Sequence, residues 1–250
     1  RTRFAAHELK PVARELDETG KFPKNLVHQM AELGLMGIPI PVSLGGAGMD
    51  TVAYAAAVME LARADASVAI TMAAHTSLGT MPIVIAGSEE QKKKFVPPLA
   101  SGEMIGAFGL TEPDAGSDAG ATKTTAVKKG AEYDLNGGKI FITKVGEAGI
   151  LNLAGRVIEG DENEGVGACI VETNRPGLII NLEAKKMGWC ASDTRQIFFE
   201  DMAVPAKNML GTPGIGFKTF LKTLTGGRIS IAALSVGTAL GAYERALKYA

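Results

Sequence analysis

Apolar residues recur every three or four positions through the first hundred residues, as in Phe4, Leu9, Val12, Ala13 and Leu16 and again in Leu26, Met30 and Leu33. This period lays one side of a helix against a core. Gly34 is placed to stop one such helix. Asp50 or Thr51 can cap a helix reaching about Ala64, and Ser88 with Gln91 three residues on reads as a capping box before a helix over 92–99. Residues 66–88 carry no Asp, Glu, Lys or Arg, a stretch long enough to raise the question of a membrane span. Thr71, His75, Thr76, Ser77, Gly79, Thr80 and Pro82 interrupt it, so two short buried helices meeting at a break are expected instead of a span.

The pattern changes after Pro97, Pro98 and Gly102. Short β-rich runs follow at 105–110, 122–127, 132–135, 139–143, 150–157, 167–172, 178–182 and 196–200, separated by Gly, Asn, Asp and Pro. Asn136-Gly137 between two runs signals a hairpin turn. Helical spacing returns over 216–224 and 228–250, where Ile229, Ala232, Ala233, Val236, Leu240 and Leu247 can form one apolar stripe. The expected class is α+β and multidomain: an all-α domain over 1–102, an antiparallel β-barrel-like domain over 103–212, and the start of a helical bundle over 213–250. The last helix has no stop signal, so its continuation in a longer protein is expected.

Composition narrows the function classes. The chain has 250 residues, 46% of them hydrophobic and 21% charged, with a formal charge of -1. That is enough to bury a sizeable core, and it offers no basic excess for nucleic acid. The two cysteines, Cys169 and Cys190, lie in no CxxC pair and near no histidine at ligand spacing, so structural thiols and no metal site are expected. Few cysteines and no hydrophobic leader fit a cytoplasmic location, or the mitochondrial matrix in a eukaryote. The chain opens on Arg1, and a native start upstream is expected.

The most informative segment is Phe108-Gly109-Leu110-Thr111-Glu112-Pro113-Asp114-Ala115-Gly116-Ser117-Asp118. Its small residues let backbone amides approach a flat ring or a diphosphate, while Thr111 and Ser117 add hydroxyl donors. The same residues are also those of a polar connection built on Asx and Ser turns. His75 reads better as a satisfied core histidine than as a contact to ligand. Lys92 to Lys94 read as a solvated helix face rather than a phosphate patch.

This segment resembles the TEPxAGSD signature of acyl-CoA dehydrogenases, and further resemblances follow in that family's order. Lys139-Ile140-Phe141-Ile142-Thr143 resembles the KxWIT strand; Met187-Gly188-Trp189, Ser192-Asp193-Thr194 and Phe199 to Pro205 resemble the next block; Gly226-Gly227-Arg228-Ile229 resembles the start of the first carboxy-terminal helix. Leu35 to Gly48, with its LGGAG, is similar to the family's amino-terminal loop. The resemblance implies FAD in a cleft beside the β domain, lined by Phe108, Gly109, Leu110, Thr111, Gly116, Ser117, Phe141, Ile142 and Thr143. Thr111 is then expected at the pyrimidine side of the ring, Thr143 near N5, and Phe141 over one face. Ser117, Thr225, Gly226, Gly227 and Arg228 are the expected acyl-CoA contacts. Lys144 and Phe141 depart from the family's Asn and Trp, and Thr225 from its Asp.

The implied reaction is α,β-dehydrogenation of an acyl-CoA thioester with hydride passing to flavin N5, and electrons then passing to an electron-transferring flavoprotein. The family forms homotetramers. Its base is a downstream Glu or, in some relatives, the residue before the arginine matching Arg228. Here that residue is Gly227 and the last helix offers only Glu244, so the base is expected beyond Ala250 and the chain alone is expected to be inactive. Rival readings are an acyl-CoA oxidase or other flavin oxidase of the same fold, and a noncatalytic assembly scaffold.

Overall fold

The computed structural model describes residues 2–182 and 184–250, so Arg1, counted in the first expected domain, lies outside the described residues. Helices come first: α1 (Thr2–Phe4) running into a π turn at Ala5–Leu9, α2 (Ala13–Thr19), α3 (Lys24–Glu32), α4 (Thr51–Ala64), α5 (Ala66–Ala74), α6 (Met81–Ala86) and α7 (Glu89–Ser101). Local chemistry sets their ends. The Asp50 carboxylate accepts from Ala53 N at 2.8 Å, Asp65 accepts from Val68 N at 2.8 Å, and Ser88 with Gln91 completes the capping box. Gly34 turns the chain after α3 with φ 70°. The charge-free stretch folds as α5, a π turn at His75–Thr80 and α6, and most of it is buried inside the protein.

Among the described residues the sheet has seven strands: β1 (Gly106–Gly109), β2 (Thr125–Lys129), β3 (Glu132–Thr143), β4 (Ile150–Glu159), β5 (Glu162–Glu172), β6 (Leu178–Ile180) and β7 (Thr194–Pro205). β4 is its hub. Its first half pairs parallel with β1, its second half parallel with β2, and its other edge antiparallel with β5. The sheet continues from β2 through β3 and β7 to β6 by antiparallel pairs. It is therefore mixed, where the turn signals alone predict antiparallel neighbours; β1 and β2 both follow β4's direction because loops carry the chain back between them.

Asn136-Gly137 is not a hairpin turn. β3 runs straight through it, with a register shift against β7 between Leu135 and Gly137. Gly137 has φ 132°, and a Cβ there would stand 2.8 Å from Thr124 Cα, so the glycine serves a bulge and a close strand crossing. The β2–β3 turn falls instead at Gly130, φ 61°.

Both faces of β4 are covered. Leu151, Leu153 and Val157 join Leu135, Val171, Ile197 and Met202 in one core, while Ile150 and Ala154 join Ile83, Phe95, Leu99, Ile170 and Phe220 in another that ties the sheet to the helices. A third core, with Met30, Met36, Val58, Val68 and Met72, lies within the helices.

The final element is one helix, α8 (Gly216–Tyr249), not two helices parted at Gly226-Gly227. Its buried face is also not the expected stripe. Gly227, Ser230, Leu234, Gly237 and Gly241 face inward, whereas Ile229, Val236 and Leu247 are exposed. The cause is close helix approach: a Cβ at Gly237 would come within 2.2 Å of Met59 O, and one at Gly241 within 2.3 Å of Arg63 O on α4. Small residues bring the two backbones together, and the larger apolar residues are left on the outer side.

Candidate functional site

Two segments meet where β1 ends. Thr111 leaves β1 and its carbonyl accepts from Ile140 N of β3 at 2.9 Å. A second irregularity against β7 falls between Lys139 and Ile142. Within it Phe141 adopts φ 58° and is 69% exposed, although a strand aromatic normally seeks a core. Lys144, also at φ 58°, closes the same stretch. A left-handed conformation costs a non-glycine residue about 1–2 kcal/mol; the one at Phe141 falls where the pairing with β7 is interrupted, and Ile142 and Thr143 then resume it opposite Arg195 and Thr194. Ile142 points into the sheet core, Thr143 is half-buried, and Gly116 and Ser117 are exposed, with nothing within 4 Å of a Cβ built at Gly116.

Beneath this surface lies a buried ion pair. Lys139 Nζ donates to Glu112 Oε1 at 2.7 Å, to Leu110 O at 3.0 Å and to Thr122 Oγ1 at 2.9 Å. The Glu112 carboxylate also accepts from Lys123 N at 2.6 Å, from Thr124 N at 3.0 Å and from the Thr122 hydroxyl. Burial alone would push Glu112 up, but Lys139, Thr122, Lys123 and Thr124 outweigh it and hold the carboxyl down to about 2. Such a network is costly to break, because removing one partner leaves a buried charge alone.

A third buried charge follows. Lys144 N donates to Asp193 O at 2.6 Å, and the Lys144 ammonium is pushed down to about 7 by burial, with the Asp193 charge opposing the shift. Asp193 is itself held by Gly146 N at 2.9 Å and Arg195 Nε at 2.5 Å. His75 lies near this charge as a satisfied core residue: Nε2 donates to Leu99 O at 2.9 Å while Nδ1 accepts from Gly106 N at 3.1 Å. Burial, followed by the Lys144 charge, pushes it down to about 3, so it is neutral with the proton on Nε2.

The remaining sequence-expected residues fall in two places. Phe108, half-buried, meets Phe220 of α8 edge to face, with centroids 4.6 Å apart, and Gly109 and Leu110 after it are buried. The loop after Ser117 reaches α8, since a Cβ at Gly120 would stand 3.8 Å from Phe217 Cζ. Thr225, Gly226 and Arg228 are exposed, while Gly227 faces Leu78 and Ser77 of the π turn. At 1.5 Å per residue they lie about 15 Å along α8 from Phe217. The structure thus joins Thr111 to Ile140, the residue before Phe141, with Thr143 two residues further along β3, and sets Gly226 to Arg228 apart from them on α8.

Residues 2–103 match the acyl-CoA dehydrogenase N-terminal domain and residues 107–202 the acyl-CoA dehydrogenase middle domain. The chain belongs to the acyl-CoA dehydrogenase family. It is 48% identical over 250 residues to the probable acyl-CoA dehydrogenase YngJ of Bacillus subtilis, covering 99% of this chain and 65% of that protein. It is 46% identical to the short-chain specific acyl-CoA dehydrogenase of Clostridium acetobutylicum, over 98% of this chain and 65% of the relative. The butyryl-CoA dehydrogenase structure from Megasphaera elsdenii superposes with a TM-score of 0.94 at 42% identity, over 98% of this chain and 65% of that one. A structure described under the electron transferring flavoprotein of Acidaminococcus fermentans superposes with a TM-score of 0.96 at 43% identity, over 99% of this chain and 65% of that one. This chain of the acyl-CoA dehydrogenase family therefore spans about 65% of the length of these relatives.

The motifs mark Thr111, Phe141 and Thr143, and the Lys139–Glu112 pair lies beneath them. Lys139 carried a signal: in a strand whose odd positions Tyr133 and Leu135 are buried, a lysine on the same parity points inward and needs a buried partner. Glu112, inside the motif, was the carboxylate to pair with it.

Proposed function

We propose that this chain forms the flavin-facing part of an FAD-dependent enzyme that α,β-dehydrogenates acyl-CoA thioesters. One observation carries the reading: Phe141 stands exposed on a left-handed bulge, one residue after the backbone bond from Ile140 N to Thr111 O and two before Thr143, an arrangement that fits a flat ring and serves no core. Bound there, FAD supplies the hydride acceptor for the substrate's β hydrogen.

The chain's own residues do the positioning. The Thr111 and Thr143 hydroxyls would be the donors to the ring, stabilising negative charge there, and Phe141 would cover it and keep water away. Gly116 and Ser117 leave open backbone for a diphosphate, Ser117 adding a hydroxyl to acyl-CoA as well. Thr225, Gly226 and Arg228 are the further acyl-CoA contacts, with Arg228 a fixed cation for its phosphates, whereas Gly227 packs inward against Leu78 and Ser77. The names of the relatives from Clostridium and Megasphaera favour a short acyl chain. An electron-transferring flavoprotein, the protein named for the Acidaminococcus structure, would be the partner that accepts the electrons. The bacterial relatives support a cytoplasmic location, and a homotetramer is the assembly the family resemblance implies.

On this reading the base that removes the α proton is supplied from outside these 250 residues. Gly227 has no side chain, and Glu244 is paired with Arg63 on α4. Incubating the chain with FAD, acyl-CoA of several lengths and a dye acceptor is expected to give no turnover. Turnover abolished by Glu244→Gln would overturn this placement. In the full-length protein, Thr143→Val is expected to slow flavin reduction more than it weakens acyl-CoA binding. Stopped-flow reduction beside an affinity titration tests it, and unchanged reduction with weakened binding rejects the role.

A further inference from the structure

The buried pair under the site has a geometry that a general core ion pair would not require. Lys139 Nζ reaches Leu110 O at 3.0 Å and Glu112 Oε1 at 2.7 Å, so one ammonium grips the residues immediately before and after Thr111. Glu112 is held further by Thr124 N and the Thr122 hydroxyl on the same Oε1 and by Lys123 N on Oε2. Thr111 O in turn accepts from Ile140 N, the residue after Lys139 and before Phe141. Both charged side chains are almost wholly buried, at 0% and 4% exposure.

From this geometry we infer that Lys139 is the positioning residue for Thr111. It clamps both flanks of the threonine to the start of the Phe141 bulge, and thereby fixes the threonine hydroxyl relative to Phe141 and Thr143. The inference rests on the flavin reading above and extends it: Lys139 touches no ligand and acts through Thr111. A fold-stabilising pair needs only mutual contact. The grip on Leu110 O, which lies on the far side of Thr111 from Glu112, is what a positioning role adds. The clamp also explains why a lysine is suitable, since its compact ammonium has three donors for three acceptors converging from different directions.

The test is a double-mutant cycle in the full-length protein, with FAD as the probe and its dissociation constant read by flavin fluorescence, beside the visible circular dichroism of the bound flavin. Thr111→Val is expected to weaken FAD by about tenfold, the scale of one lost hydrogen bond. Lys139→Met is expected to weaken it at least as much and to change the flavin dichroism. Adding Thr111→Val to Lys139→Met is expected to cost little more, because the hydroxyl is already misplaced. A purely structural pair would lower the melting temperature and leave the two effects on FAD multiplying independently. If Lys139→Met strands the Glu112 carboxylate and fails to fold, the cycle is run with Glu112→Gln present throughout. Multiplying effects, or FAD held by Lys139→Met as in the wild type, overturn the clamp alone. Wild-type protein that does not bind FAD overturns the flavin reading, and the clamp with it.

Discussion

Glu244 lies against Arg63 across the α4–α8 contact, with Arg63 Nε donating to Oε2 at 3.0 Å and the terminal guanidinium nitrogen donating to Oε1. Glu60 approaches the same guanidinium at 3.7 Å. The carboxylate is thus a tie between helices. Because both partners are partly exposed, the tie is screened by salt. Glu244→Gln is expected to lower the urea midpoint slightly at low ionic strength, with the difference shrinking at high salt. A difference that stays constant across salt would show that the contact acts through packing.

Next to that tie, the glycines of α8 give a prediction with two signs. Gly237→Ala places a methyl within 2.2 Å of Met59 O, a backbone atom that cannot swing aside, and is expected to cost about 1–3 kcal/mol. Gly226→Ala meets nothing within 4 Å and is expected to gain about 0.5–1 kcal/mol from helix propensity. Urea unfolding of both variants decides it. Destabilisation by Gly226→Ala would mean that α8 is not a continuous helix through that point.

The helix ends were legible because caps are local: Asp50, Ser88 with Gln91, and Gly34 act within one turn of themselves. The inward face of α8 was not legible, since hydrophobicity ranks Ile229 and Val236 above Gly237 and only the nearness of α4 reverses the order. Asn136-Gly137 failed in the same way. The pair permits a turn, but the hydrogen bonds that β7 offers on the far side keep β3 running through it. At the site, the motif marked Thr111, Phe141 and Thr143, which the fold sets on neighbouring strand ends. That Phe141 would be left-handed and exposed depends on a bulge whose partner strand lies more than fifty residues later in the chain, beyond the reach of local propensity.

Phe141 allows stability and binding to be separated. Phe141→Gly replaces a residue that is 69% exposed and relaxes a positive φ, so relief of about 1–2 kcal/mol offsets glycine's cost of about 0.5–1 kcal/mol in a strand. Stability is therefore expected within about 1 kcal/mol of the parent, while FAD affinity in the full-length protein falls. Calorimetry beside a flavin titration reads both. A large loss of stability with unchanged FAD binding would make Phe141 a packing residue.

Lys144 gives the clearest pH dependence. Burial depresses its ammonium from 10.5 to about 7, against the attraction of Asp193. Below pH 7 the lysine is charged both folded and unfolded, and the fold carries the full cost of holding that charge in the interior. Between about 7 and 10.5 the folded protein has released a proton that the unfolded chain still holds, so the unfolded state binds more protons and this residue's contribution to stability rises with pH. Above 10.5 both states are neutral and the rise ends. Lys144→Met keeps the apolar stem and removes the charge, so it is expected to stabilise the fold by on the order of a few kcal/mol at pH 6.5–7, with the gain shrinking as pH approaches 10.5. His75, pushed down to about 3, adds its own dependence below its ordinary value of 6.5, and Tyr54, Tyr133 and Cys169 are pushed up and titrate at the alkaline end. The difference between parent and variant removes most of these shared contributions, and starting at pH 6.5 avoids the range in which loss of the Lys144 charge would ease His75 protonation. Denaturant unfolding of both proteins at half-unit steps from pH 6.5 to 10 measures it. A variant no more stable than its parent at pH 7, or a gain that does not shrink with pH, would show that the Lys144 ammonium reaches solvent and that its burial against Asp193 does not govern its charge.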